Sequence, residues 1–262
     1  MTYLNISRQE NRSTTRPDSK ANIVGTIGAS AEWGQEYLYS FTPDVDMDFV
    51  LRLLGSKQKG RDISHATRLR LRENTRKALE LISPKIITKI YEIRKTYKEY
   101  IELANGIEFK SRKLARYLKG ADRIMVLAGT VGIDIDVEID RMLGEKRLAD
   151  AYTLDALGSG SVESLVEKFH QEATDQLLQD NYISGLRFSP GYCDWPIAEQ
   201  HKLFSLFNAE RIGLQLEPSG LMQPRKSISA VFGIFDELHA KELTSNNPCQ
   251  HCAKKDCIAR RT

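Results

Sequence analysis

Cysteine is scarce: there are four in 262 residues, three of them packed into CQHCAKKDC near the C-terminus. Four cysteines do not make a disulfide framework for a chain of this length, and their clustering reads as metal binding in a reducing compartment. Long apolar runs are missing too. No window approaches the roughly eighteen uninterrupted apolar residues of a membrane span, so no membrane partner is expected. The opening MTYLNISRQENRSTTRPDSK lacks the apolar centre of a signal peptide. A cytoplasmic location is therefore expected. A phosphate-binding loop is absent as well. The GTVG of RIMVLAGTVG has neither GxGxxG spacing nor a following P-loop lysine, and reads as a buried strand with its turn.

What is present describes a globular protein, 41% apolar and 28% charged, long enough to bury a proper core. The net charge of +3 hides an asymmetry. Between Ser56 and Arg123 there are 19 Lys and Arg against 8 Asp and Glu, a local excess of 11, which leaves −8 for the remainder. Such a block steers acidic partners or nucleic acid, or forms the solvated faces of helices.

Three stretches are expected: a mobile N-terminal extension over 1–35, a folded domain over 36–240, and a Cys-rich tail over 241–262. EYLYSFTP alternates as a short strand, and DMDFVLRLLG reads as a helix opened by Asp and closed by Gly55. From Ser64 to Asn105 the pattern predicts helix, interrupted at Ser83-Pro84, with Ile86, Ile90, Ile93 and Tyr97 as an apolar stripe. IEFKSRKLARYLK gives a short strand and then a helix closed by Gly120. IDIDVEIDRML is ambiguous between strand and helix, and its continuation through Met142 favours helix. In GSGSVESLVEKFHQEATDQL, Ser161 is the expected N-cap, and Val162, Leu165, Val166, Phe169, Ala173 and Leu177 form one apolar stripe. Glu163 and Glu167 share another face. A helix is expected from about Ala198 to Asn208, then strands in IGLQLEPSGLMQP and KSISAVFGIF.

The decapeptide RFSPGYCDWP, residues 187–196, carries more chemistry than a connector needs. Pro190-Gly191 makes a tight turn. Arg187 offers a forked guanidinium suited to a carboxylate, and Tyr192 and Trp195 offer flat faces for a heterocycle or a cation. Together they suit a small zwitterion bearing an aromatic ring. Equally, the aromatics could plug a corner of the core while Arg187 pairs with a local acid.

The run GLRFSPGYCDWPIAEQHKLFSLFNAERIGLQLEPSGLMQPRKSISAVFG resembles the activation domain of cobalamin-dependent methionine synthase, most of all the stand-alone version of it. The shared frame is an arginine three residues before Pro-Gly-Tyr, a following Pro, a helix, Gly-x-x-Leu, Met-x-Pro and a Ser-hydrophobic-Ser strand. Weaker likeness, including ADRIMVLAGTVG, extends it over roughly 49–236. The resemblance implies a single α+β domain, with helices around a twisted, mainly antiparallel sheet, and a site for S-adenosylmethionine (AdoMet). Arg187 would hold the methionine carboxylate, and Ser189, Pro190, Gly191 and Tyr192 would line the cofactor. Glu167, in Leu165-Val166-Glu167-Lys168-Phe169, would face its cationic groups. Two positions depart from the family's pattern. Asn181 stands six residues before Arg187, where the family often has a second glutamate, and Cys193 follows Tyr192.

The activity implied is reductive methylation of cob(II)alamin, which reactivates a corrinoid methyltransferase. Cobalt is then the nucleophile and no catalytic residue is required of this chain. It carries no Asp-x-His-x-x-Gly motif of the kind that ligates a corrinoid, so cobalamin is expected on a partner such as a methionine synthase core. An acidic electron donor, flavodoxin or ferredoxin, suits the basic block. Cys249, Cys252 and Cys257 supply three thiolates that ask for a fourth ligand. Cys193 is the remaining cysteine, so the four are a candidate set for zinc or an iron–sulfur cluster. Two other readings stand beside this one: a redox module centred on the cysteines, and a basic, zinc-containing nucleic-acid-binding protein, although nucleic acid is the less expected partner.

Overall fold

A computed structural model describes residues 34–55 and 63–236. The expected N-terminal extension over 1–35, all but its last two residues, and Cys249, Cys252 and Cys257 lie outside the described residues. In chain order the elements are β1 (Tyr37–Tyr39), α1 (Met47–Leu53), α2 (His65–Leu81), β2 (Lys85–Thr96), β3 (Tyr100–Leu103), β4 (Glu108–Lys110), α3 (Arg112–Tyr117), β5 (Arg123–Thr130), α4 (Asp134–Gly144), α5 (Leu148–Gln179), β6 (Tyr182–Ser184), α6 (Gln200–Phe204), β7 (Gln215–Leu216), β8 (Met222–Gln223) and β9 (Ser227–Asp236).

One sheet organises them, in the order β4-β3-β2-β5-β9-β6, with β1 also paired to β2. Its pairings are antiparallel throughout. A small β7–β8 hairpin stands apart. The long central strands are buried on both faces, as their near-continuous apolar runs require. Ile86, Ile90, Met125, Leu127, Ala230, Phe232 and Ile234 face a layer that includes α1, α2, α4 and α5. Ile87, Ile124, Val126, Ala128, Val231 and Phe235 face α3, α6 and the segment around Trp195 and Ile212. The α+β class, with helices around a mainly antiparallel sheet, is what the structure has.

Three local expectations are corrected. Residues 85–96 and 100–103 are strands, not helix. Ile86 and Ile90 are four apart, and a spacing of four keeps two residues on one face in a helix and in a strand alike. The β-branched run KIITKI then favours the strand, where it is buried on both sides. Ser161 is not an N-cap. Helix α5 begins at Leu148, and Ser161 sits fully buried inside it, donating its hydroxyl to the Leu157 carbonyl at 2.8 Å. Helix runs through Gly158 and Gly160 because close packing needs them: a Cβ at Gly160 would lie 2.6 Å from Val50 Cγ2, and one at Gly158 2.9 Å from Ile135 Cδ1. The third correction is the helix expected over 198–208. It is shorter, covering Gln200–Phe204 between two 3₁₀ turns, and Asn208 caps the second turn through Glu210 N.

The helical reading of 134–144 holds, and α4 is clasped to α2 by Glu138. That carboxylate bonds Arg141 and Lys77, and these partners, Arg141 foremost, hold it down to about 2 against the opposing effect of burial.

Candidate functional site

The candidate site lies where the second half of α5 meets the end of β6. Val162, Leu165, Val166, Phe169, Ala173 and Leu177, the stripe seen in the sequence, seat α5 on the sheet. Its flank then carries Glu167, His170 and Thr174, three and seven residues apart on one helical edge. The chain reverses after α5 at Asn181, whose φ of 61° is a left-handed conformation that asparagine tolerates. Asn181, which departs from the family's pattern, is thus a turn residue.

Beyond β6 the backbone is pinned twice to β9. Gly185 N donates to Gly233 O at 2.8 Å. A Cβ at Gly185 would stand 3.0 Å from Phe235 Cε2, so glycine permits the close approach. Phe188 then exchanges two bonds with Val231, of 2.8 and 2.7 Å. Arg187 lies between these anchors. Its side chain is only 5% exposed, and Nη2 reaches Glu167 Oε2 at 2.6 Å, while the glutamate side chain is 63% exposed. The structure thus brings the predicted arginine and glutamate together.

The rest of the decapeptide is a tight loop. Tyr192 N donates to Ser189 O at 3.3 Å, Trp195 N to Tyr192 O at 3.1 Å, and Gly191 N to Trp195 O at 2.8 Å. Gly191 and Cys193 have left-handed φ values of 88° and 57°. Ser189 is half-buried and Pro190 buried, while Gly191, Tyr192 and Cys193 are exposed. The two aromatics take different parts. Tyr192 is 54% exposed beside Gly191, whereas Trp195 is buried and meets Phe109 edge-on with ring centroids 5.2 Å apart. Trp195 thus plugs the core and the nearly enclosed Arg187 pairs with a local acid, Glu167, while Tyr192 stands at the surface.

Sequence reasoning missed Asp194, because its partners are some 80 residues away. Its carboxylate accepts from Ser111 Oγ at 2.6 Å and from the N–H groups of Arg112 and Lys113 at 3.0 and 3.2 Å, at the start of α3. Burial raises the Asp194 pKa, but these three hydrogen bonds to its carboxylate outweigh it, and the net shift is downward. A depressed pKa contributes stability that is present above the unfolded carboxylate's value, about 3.9, and is lost as pH falls through the folded value. Asp194→Asn is accordingly expected to cost about 1 kcal/mol at neutral pH. The difference from wild type should shrink below about pH 4, as read from urea midpoints measured across that range.

Also unsignalled in the sequence were Ile197 and Leu221. Both are exposed, and Ile197 lies against Gly191 and Gly220, so an apolar lip extends from the loop toward the β7–β8 hairpin. Of the predicted metal ligands only Cys193 falls within the described residues. Among those residues no cluster of His, Cys, Asp or Glu is placed to hold a metal ion, and no helix is long and apolar enough to cross a membrane.

Two comparisons bear on this arrangement. Residues 122–244 match the family described as vitamin B12 dependent methionine synthase, activation domain. A crystal structure of the MetH reactivation domain bound to AdoHcy superposes with a TM-score of 0.60 at 15% identity, covering 79% of this chain and 83% of that one. No curated protein sequence matches. The matched segment begins beside β5 and takes in α5, the Arg187 loop and β9, which together build the site. Over residues 122–244 this chain is similar to the activation domain of vitamin B12 dependent methionine synthase, and it shares the fold of the MetH reactivation domain.

Proposed function

We propose that this chain binds AdoMet at the Arg187 loop and serves to reactivate a corrinoid methyltransferase by reductive methylation, acting as a separate chain beside a methionine synthase core. The observation that carries this reading is the Arg187–Glu167 pair, a buried guanidinium joined to an exposed carboxylate. The amino-acid end of AdoMet presents a carboxylate and an ammonium on one carbon, and the pair offers a counter-charge to each. Arg187 suits the carboxylate through its planar fork. Glu167 suits the ammonium and sulfonium. Ser189, Pro190, Gly191 and Tyr192 line the remainder, with the Tyr192 ring available to stack on a heterocycle. The related MetH domain is described as binding AdoHcy, the product such a reaction would leave.

AdoMet supplies a sulfonium methyl for transfer to the reduced corrinoid of the partner. The residues of this chain bind and orient. Arg187 and Glu167 would hold the amino-acid end of the molecule, and the loop residues would orient the rest. The exposed lip of Tyr192, Ile197 and Leu221 would give the site an apolar border from which water is excluded when a partner docks. The same proposal makes Cys193 a ligand of zinc or an iron–sulfur cluster with Cys249, Cys252 and Cys257, since its exposed place in this loop leaves it accessible. Folded domain and Cys-rich tail would then divide near residue 240, in a cytoplasmic protein. Flavodoxin or ferredoxin is the proposed donor.

The basic block supports a nucleic-acid role poorly. Helix α2 packs on one face of the sheet and α3 on the other, so the charges do not form one stripe. Several are already paired, among them Arg70 with Asp150, Arg94 with Glu102 and Arg112 with Glu99.

Calorimetric titration with AdoMet and with S-adenosylhomocysteine is the direct test. Saturable one-to-one binding of both is the expected result. Absence of binding to the chain, both alone and with a corrinoid protein added, would remove the proposal.

A further inference from the structure

His170 is part of neither the sequence reading nor the site just proposed, yet it touches the backbone that delivers Arg187. Its Nε2 lies 3.1 Å from the Gly185 carbonyl oxygen and 3.4 Å from Ser184 Oγ. A carbonyl can only accept, so the contact requires a proton on Nε2. The ring is held from behind by Phe232, with centroids 4.7 Å apart. One turn on, Thr174 Oγ1 bonds Ser184 Oγ at 2.6 Å. Glu167, His170 and Thr174 therefore meet Arg187, Gly185 and Ser184 in turn, and one edge of α5 grips the chain from the end of β6 to the arginine.

The Gly185 peptide is held from both sides. Its N–H donates to Gly233 O and its carbonyl accepts from His170. Only Leu186 separates it from Arg187, and Phe188 is already tied to Val231. With the neighbours of Leu186 and Arg187 anchored, the direction in which the guanidinium leaves the backbone is set by these anchors, and the pair with Glu167 takes up what freedom remains. We infer that His170 is a positioning residue: it holds the Gly185 carbonyl so that Arg187 is presented in the orientation a ligand carboxylate needs. For AdoMet this inference rests on the site proposed above.

The test compares two ligands and two variants. AdoMet carries the carboxylate, and 5′-methylthioadenosine has the same nucleoside and sulfur without the amino-acid end. His170→Leu removes the donor, and His170→Gln returns an N–H at the place of Nε2. The loss of one hydrogen bond that orients a charged contact is expected to weaken AdoMet binding to His170→Leu roughly fivefold to tenfold. Methylthioadenosine binding should stay within about twofold. His170→Gln should recover most of the AdoMet affinity. Equal losses for both ligands, unchanged AdoMet binding in His170→Leu, or no recovery in His170→Gln would each overturn the inference. Hydrogen exchange at the Leu186 and Arg187 amides decides the same point without a ligand. Faster exchange confined to this segment in His170→Leu, and wild-type rates in His170→Gln, supports the anchor, whereas unchanged rates in His170→Leu refute it. Wild-type protein that binds neither ligand overturns the AdoMet site, and the exchange measurement still decides the role of His170.

Discussion

Arg187→Ala is expected to lower AdoMet affinity by roughly 100-fold or more while leaving the protein folded. The two effects separate because the two partners of the pair are buried so differently. Arg187 delivers its charge from a nearly enclosed stem, so a ligand carboxylate that meets it is desolvated with it, and a charged hydrogen bond in such surroundings is worth far more than one in water. Glu167 is mostly exposed. Once orphaned, its carboxylate returns to water at little cost, and the stability lost is that of the packed arginine stem, about 1–2 kcal/mol. Arg187→Lys separates charge from shape. The ammonium keeps the sign but not the planar fork, and binding should fall roughly tenfold. Calorimetric titration of the three proteins, with thermal melts as the folding control, reads both quantities. Wild-type affinity in Arg187→Ala would place the carboxylate elsewhere and leave the Arg187–Glu167 pair as a structural tie between α5 and the loop.

Much of this site was legible because its components are local in sequence. The stripe from Val162 to Leu177 fixed which edge of α5 faces away from the core, and Glu167 falls on that edge. Pro190-Gly191 announced the turn, and the loop does turn there, with Gly191 in a left-handed conformation. What was not legible depends on distant chain. Asp194 looks like one more loop acid until α3 is brought beside it. His170 acquires meaning only when β6 lies against α5. The misread strand over 85–96 has the same origin. Its four-residue spacing suits helix and strand equally, and the decision comes from β5, which pairs along it from Lys85↔Thr130 to Glu92↔Arg123. Ser161 misled because a serine after glycines is ordinarily a helix start, whereas here the glycines are the places where Val50 and Ile135 press against α5.

Trp195→Ala is expected to be the most damaging single change in the loop, costing about 3–5 kcal/mol. The indole is 2% exposed and packs edge-on against Phe109 within the cluster that contains Leu114, Leu118 and Leu203. Its backbone also closes the loop at both ends, through Gly191 N and Tyr192 O. One feature works against the tryptophan: among the described residues its buried Nε1 has no hydrogen-bond partner, which carries a desolvation cost of about 1–3 kcal/mol. Trp195→Phe loses volume but also removes that orphan donor. The two terms oppose each other, and the net change should stay within about 1 kcal/mol. Urea denaturation followed by circular dichroism would measure both variants. The binding consequence follows from the same geometry. With the plug gone, the turn that presents Tyr192 has no seat, so Trp195→Ala should lose AdoMet affinity along with stability, whereas Trp195→Phe should keep both. A Trp195→Ala protein of wild-type stability would mean that the decapeptide is an independent surface loop, and that Arg187 is held by its β9 and α5 contacts alone.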